Sequence, residues 1–344
     1  MVHAKSGMVE EGKGLSTIPQ ITLVGCGYWG KNLCRNFYGL GALASVVDAT
    51  EKGQATAQSI APDVLITENF EDILGDDQIQ GIALATPAET HADLAIQAMQ
   101  SGKDVFVEKP MALSISDAEA MQTVANETGR ILMVGHLLEY HPAVLKLREL
   151  IDSGELGKIN YIYSNRLNFG KVRTEENALW SFAPHDVAVI LRLLGQSPVE
   201  VSASGGAYLT KGIADITVSN LQFSDDSRAH IFVSWLHPYK EQRLVVVGDQ
   251  KIAIFNDVAA YGEKLQLYPQ RVEFVGNVPV LKKEDAEFIE HSDDEPLREE
   301  CAHFLECMKS RNKPFTDAQS GIEVLKVLHA CQASIEQNGQ PIPV

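Results

Sequence analysis

The chain is poor in positive charge: 29 lysines and arginines stand against 46 aspartates and glutamates, a formal net charge of −17 over 344 residues. Such a balance opposes binding to a phosphate backbone, so no nucleic-acid partner is expected. Long apolar runs are missing as well. None approaches the roughly 18 residues of a membrane helix, and no membrane partner is expected. Cysteine is scarce and odd in number (Cys26, Cys34, Cys301, Cys307, Cys331), without a Cys-x-x-Cys spacing. That argues against disulfide staples and against a metal site, and for a reducing, cytoplasmic setting. Residues 1–19 lack the apolar segment of a secretory signal and read as a flexible leader. No internal repeat or low-complexity stretch occurs.

The remaining composition, 45% hydrophobic and 22% charged, is that of an ordinary globular chain. At about 150 residues per domain the length suggests two domains. From Gln20 to Gly135, short apolar runs alternate with helical patterns. The runs are Ile21–Val24, Ala44–Val47, Val64–Ile66, Ile82–Ala85, Val105–Val107 and Ile131–Val134. Runs of this length suit strands buried on both faces, and repeated strand–helix units imply a doubly wound parallel sheet of α/β class.

After Pro142 the pattern changes. Helices are expected from Ala143 to about Ser153 and from Pro184 to Leu194. Strands are expected at Ile159–Phe169, Val199–Ser204, Ile216–Phe223, Ala229–Trp235, Arg243–Val247, Ile252–Phe255 and Lys264–Tyr268. Successive strands with short links predict a large mixed, mostly antiparallel sheet. Leu297, Cys301, Phe304, Leu305 and Met308 share one helical face, and residues 317–336 form another helix. The expected division is therefore 20–141 for a dinucleotide-binding domain and 142–344 for substrate binding and oligomerisation, with the last helices free to pack back on the first domain. Val218, Leu221, Phe223, Ile231, Val233 and Trp235 suggest a sheet with an apolar face beyond what its helices cover. Such a face is expected to be buried in a homo-oligomer.

Gly25-Cys26-Gly27-Tyr28-Trp29-Gly30 directly follows the first apolar run and opens a helical segment. The first glycine permits the tight turn, the second lets a diphosphate approach the backbone, and the third lets helix and strand pack closely. Asp48 ends the second strand, where a carboxylate bonds ribose hydroxyls and repels a 2′-phosphate. The expected cofactor is thus NAD. Tyr28 and Trp29 stand where they cover the diphosphate or pack against the neighbouring domain.

Ala85-Thr86-Pro87 with His91 ends the fourth strand, and Glu108-Lys109-Pro110 ends the fifth. Together with the glycine fingerprint these motifs resemble the glucose–fructose oxidoreductase / inositol dehydrogenase (Gfo/Idh/MocA) family, over nearly the whole chain from Gln20. The resemblance implies a Rossmann domain, an NAD site that includes Thr86, Pro87, His91, Glu108 and Lys109, a cis Lys109–Pro110 bond, and a dimer or tetramer. It also implies that Lys109 reaches the substrate hydroxyl beside the nicotinamide, and that His185, in Trp180-Ser181-Phe182-Ala183-Pro184-His185, is the catalytic histidine. Ser181 replaces an aspartate that many polyol-oxidising members carry, which argues against a polyol substrate.

The segments Gly135–Pro142, Asn165–Gly170 and Glu176–Trp180 are similar to one branch, the UDP-2-acetamido-2-deoxy-glucuronate 3-dehydrogenases of bacterial surface-polysaccharide (O-antigen) synthesis. This resemblance implies a nucleotide-sugar substrate. Arg166 and Asn168, two apart on one strand face, with Lys171 and Arg173 beyond, are candidates to hold its carboxylate or diphosphate. Asn177 and Trp180 complete the candidate substrate site. The alternatives are a family enzyme for another sugar or polyol, or an NAD-binding sensor without catalysis.

Overall fold

The computed structural model describes residues 18–344; the rest of the expected leader, residues 1–17, lies outside the described residues. Six parallel strands come first: β1 (Ile21–Val24), β2 (Leu43–Val47), β3 (Leu65–Thr67), β4 (Gly81–Leu84), β5 (Asp104–Glu108) and β6 (Leu132–Gly135). They lie in the order β3-β2-β1-β4-β5-β6. The helices that join them are α1 (Gly30–Gly39), α2 (Glu51–Ile60), α3 (Phe70–Leu74), α4 (His91–Gln100) and α5 (Ile115–Thr128). Every residue of β1, β4, β5 and β6 is buried, as their uninterrupted apolar runs require. The edge strand β3 departs from that expectation, with Leu65 62% exposed.

The chain continues through α6 (Pro142–Asp152), β7 (Ile159–Phe169), α7 (Ala178–Leu194), β8 (Glu200–Gly206), β9 (Ile216–Gln222), β10 (Arg228–Ser234), β11 (Leu236–Gly248), β12 (Ile252–Asn256) and β13 (Leu265–Tyr268). A separate hairpin, β14 (Arg271–Val275) with β15 (Val278–Lys282), precedes the short β16 (Glu287–Phe288). The last elements are α8 (Pro296–Ser310), α9 (Ala318–Glu336) and β17 (Ile342–Pro343). Nine strands form one sheet in the order β16-β13-β12-β11-β7-β10-β9-β8-β17. Only the β7–β10 pair within it is parallel.

The second helix of this half begins at Ala178 rather than Pro184. Asn177 accepts the Trp180 N–H at 3.2 Å and caps the new first turn. Pro184 therefore lies inside α7, where its missing N–H cannot bond the Trp180 carbonyl. Of the six apolar residues divided in expectation between covering helices and a partner surface, all but Val218 pack under α6, α7 and α9 or close beside them. The opposite sheet face carries Tyr161, Tyr163, His230 and Phe232, all partly exposed, with Val218 at 36%.

Two C-terminal helices tie the halves together. Leu297, Cys301, Phe304, Leu305 and Met308 of α8 belong to the apolar cluster of the first sheet. There Phe304 meets Phe37 and Phe106 edge to face, with centroids 6.4 and 5.9 Å away. Helix α9 gives Ile322 and Leu325 to the first domain, and Val324, Val327, Leu328 and Cys331 to the second. All five cysteines are buried and unlinked. No helix among the described residues is long and apolar enough to cross a membrane.

Candidate active site

The turn after β1 is built by its glycines in three different ways. Gly25 has φ +91°, and a Cβ there would sit 2.8 Å from the Ala85 carbonyl oxygen. A Cβ on Gly30 would lie 2.0 Å from the Gly25 oxygen, so this glycine lets α1 close on the loop. Around Gly27 nothing lies within 4 Å. The first turn of α1 has no side-chain cap; its Lys31 and Asn32 N–H groups donate back to the Gly27 and Trp29 carbonyls at 3.3 and 2.8 Å. Open backbone at a bare helix N-terminus fits a diphosphate.

Asp48 closes the cradle from β2. It accepts the Cys26 N–H (2.7 Å) and both the N–H and hydroxyl of Thr50 (2.8 and 2.7 Å). Burial pushes its carboxyl up, but these bonds outweigh burial and hold it below the usual carboxylate range. The group is thus a fixed anion at the end of β2, chemistry that fits the ribose hydroxyls of NAD.

The end of β4 presents Thr86, hydroxyl-bonded to Thr90 at 2.7 Å, and Pro87 at the rim of a cleft of ≈ 630 Å³. His91 does not reach the cleft. It is 1% exposed, and its ring nitrogens lie 3.0 Å from the Thr86 and Pro110 carbonyl oxygens. It braces the ends of β4 and β5, because carbonyls at strand ends need partners.

At the end of β5 the peptide Lys109–Pro110 is cis. Glu108 is 7% exposed, accepts the Trp29 indole N–H, and takes the Lys109 N–H at 3.2 Å. Burial pushes its carboxyl up to about 7, against the pull of Trp29 and Lys109. The Lys109 ammonium is lowered by burial, opposed by Glu108 and Glu176. Helix α7 supplies His185, whose buried Nδ1 has no partner among the described residues. Burial, then the charges of Lys109 and Arg166, hold its imidazole well below the usual histidine range. His185 is thus a neutral ring close to a softened lysine.

The remaining candidates divide. Arg166 is at the site, but its fork is already filled: Nε lies 2.8 Å and Nη2 3.2 Å from the Asp186 carboxylate. The Ser164 hydroxyl donates to the same carboxylate at 2.7 Å, and the Gln242 carboxamide oxygen accepts from Arg166 Nη1 at 3.1 Å. Asn168 lies half-buried on the same strand face. Lys171 is exposed and does not line the cleft; its ammonium lies 6.0 Å from the Tyr28 ring centre. Arg173 lines the cleft and pairs with Glu175 (3.6 Å) and Glu176 (3.1 Å). Asn177 also lines the cleft, yet its side chain caps α7 and donates to Gln332 at 2.8 Å. Trp180 lines the cleft with its ring edge-on to His329, centroids 5.0 Å apart.

Two residues of the site escaped the sequence reading. Asp186 was visible only as the neighbour of His185. His136 directly follows β6, as Lys109 directly follows β5, and that shared strand-end position was the available signal. It is 2% exposed with neither ring nitrogen partnered. Burial, then Lys109, pushes its imidazole down to about 3.

Comparison with known proteins matches residues 20–136 to the model of the GFO/IDH/MocA oxidoreductase family with NAD-binding Rossmann fold, and residues 144–254 to the GFO/IDH/MocA C-terminal domain. The chain is 28% identical over 284 residues to a 2,7-anhydro-N-acetylneuraminate hydratase of Mediterraneibacter gnavus, covering 78% of this chain and 75% of the relative. It is 24% identical over 324 residues to a UDP-N-acetylglucosamine 3-dehydrogenase of Acidithiobacillus ferrooxidans, covering 91% and 96%. A crystal structure from Magnetospirillum magnetotacticum superposes with TM-score 0.80 at 29% identity, over 92% of this chain and 100% of that one.

Proposed function

The chain belongs to the GFO/IDH/MocA family of NAD-binding oxidoreductases, and from that premise we propose that it oxidises the 3-hydroxyl of a UDP-linked N-acetylated uronate. The observation that carries a hydroxyl oxidation is buried, neutral His185 held in the field of the Lys109 ammonium, which the cis Lys109–Pro110 peptide sets beside cleft-lining Pro110. The uronate reading rests on Arg173, which lines the cleft, and on exposed Lys171 two residues before it. The relative that acts on UDP-N-acetylglucosamine supports the nucleotide-sugar class.

Residues 20–141 hold the dinucleotide, and residues 142–344 hold the sugar against it. The cofactor supplies the acceptor for the hydride that leaves C3. His185 takes the hydroxyl proton at Nε2, the ring nitrogen opposite its buried Nδ1. General-base help of this kind is typically worth about 10² to 10⁴ in rate. Lys109 stabilises the developing alkoxide with its ammonium. The sheet face bearing Tyr163 and His230, whose rings stack at 5.3 Å, packs on a second copy, giving a cytoplasmic dimer or tetramer. The ketone produced serves surface-polysaccharide sugar synthesis.

A second reading is favoured by Arg166 and Arg173. Both are paired to carboxylates from within the chain, and the cleft also carries Glu89 and Glu175. That arrangement suits an uncharged sugar.

The deciding experiment is a single turnover with NAD, followed at the NADH absorbance band. A rise with UDP-2-acetamido-2-deoxy-glucuronate, absent with UDP-2-acetamido-2-deoxy-glucose, supports the uronate. A rise with the uncharged sugar alone selects the second reading. Silence with both, in protein that binds NADH, overturns the nucleotide-sugar assignment and turns the search to other sugars, polyols and a sensor role.

A further inference from the structure

In an open parallel sheet the ligand crevice lies outside the carboxyl ends of the strands. Glu108 on β5 pairs in register with Gly135 on β6. The next residues, Lys109 and His136, therefore leave the two strand ends side by side. The chain then turns through residues 137–140, which pack on α7, the helix that carries His185. His136 thus adjoins the strand-end lysine and precedes a turn that packs on the helix bearing His185. Its charge environment includes Lys109, and that of His185 includes His136.

A neutral imidazole offers one N–H donor and one acceptor nitrogen. In His136 both are buried and neither has a partner among the described residues. Buried polar atoms are nearly always satisfied, and those that are not call for an explanation. Water-exposed alternatives are closed to a ring only 2% exposed. A partner supplied by a bound ligand accounts for the missing bonds. Sugar-facing groups come from β7, α7 and the loop between them. His136 instead belongs to the dinucleotide half, at the strand ends where the reactive end of the cofactor meets Lys109.

We propose that His136 is a cofactor-binding residue, with one ring nitrogen hydrogen-bonded to the carboxamide of the nicotinamide. The inference rests on NAD binding and not on the identity of the sugar, so its failure leaves the sugar assignment intact.

The test is equilibrium binding of NADH and of ADP-ribose, which lacks the nicotinamide, measured by calorimetry. In His136→Leu the NADH Kd rises about tenfold while the ADP-ribose Kd stays within twofold. His136→Asn, which keeps a donor and an acceptor, recovers most of the NADH affinity. The ADP-ribose arm also reports that each variant is folded; if Leu does not fold, His136→Ala carries the same expectation. An unchanged NADH Kd overturns the proposal. So does an equal loss for both ligands, or a defect confined to the sugar in the ternary complex.

Discussion

Arg166 on β7 and Asp186 on α7 meet side-on, two nitrogens against two oxygens, with the carboxylate side chain only 2% exposed. The pair fixes the helix bearing His185 to the central strand of the second sheet. Removing one partner leaves the other charged and buried, which costs about 3–5 kcal/mol. Asp186→Ala should lose about that much stability in urea unfolding. The double replacement Arg166→Met with Asp186→Leu should recover most of the loss, since no buried charge then remains. Recovery of stability without recovery of kcat would show that the pair positions His185 as well as holding the fold.

Lys109→Ala and His185→Ala should each lower kcat by about 10² to 10⁴, with NADH affinity changed no more than a few fold. Because burial and the adjacent cations depress His185, the neutral base persists to lower pH than an ordinary histidine. The acid limb of kcat/KM should therefore fall below about 6.5, and full activity should remain at pH 6.5. A limb above that value would remove His185 as the base.

Gly27 and Gly30 make opposite predictions from one motif. Gly27→Ala places a methyl in open space. It should leave thermal stability unchanged and weaken NADH binding at least tenfold by blocking the diphosphate. Gly30→Ala drives its Cβ into the Gly25 carbonyl at 2.0 Å. It should lower the melting temperature before any cofactor is added. Differential scanning of the free protein separates the two.

Three buried carboxyls set the pH dependence of stability. Glu300 is wholly buried with neither oxygen partnered, and burial, then Glu108 and Glu139, pushes it well above its usual value. Burial raises Glu139 to about 8, against Arg192, and Glu108 to about 7. The folded chain keeps protons that the unfolded chain releases near 4.5, so stability is highest below that pH as far as these groups are concerned. It declines as pH rises from about 4.5 through 8. The melting temperature without cofactor should drop between pH 6 and 8.5, and Glu300→Gln should flatten the drop. An unchanged slope in that variant would assign the effect elsewhere.

The first sheet was legible because its strands are buried on both faces and announce themselves as unbroken apolar runs. The start of α7 was not, because Pro184 imitates a first-turn proline while Asn177 does the capping. The β14–β15 hairpin left no trace, since Val272, Phe274, Val275, Val278 and Leu281 are all exposed and no inside–outside alternation forms. At the site, residue type alone marked Lys109 and His185. It also marked His91 and Asn177, whose polar atoms the structure spends on backbone groups and a neighbouring helix. Arg166 was legible as a fork but not as a filled one, because Asp186 lies 20 residues away and meets it only through the packing of α7 on β7.

The α8 helix has a consequence for how the molecule is made. Phe37 and Phe106 emerge from the ribosome early, yet Phe304, which covers them, comes after every strand of the second sheet but β17. At about 5–20 residues per second, the stretch between the end of the first sheet and α8 takes on the order of ten to thirty seconds to translate. Throughout that interval the nascent first domain displays an aromatic patch that only its own far end can cover. Truncation before α8 should therefore yield an aggregating fragment rather than a free dinucleotide-binding domain.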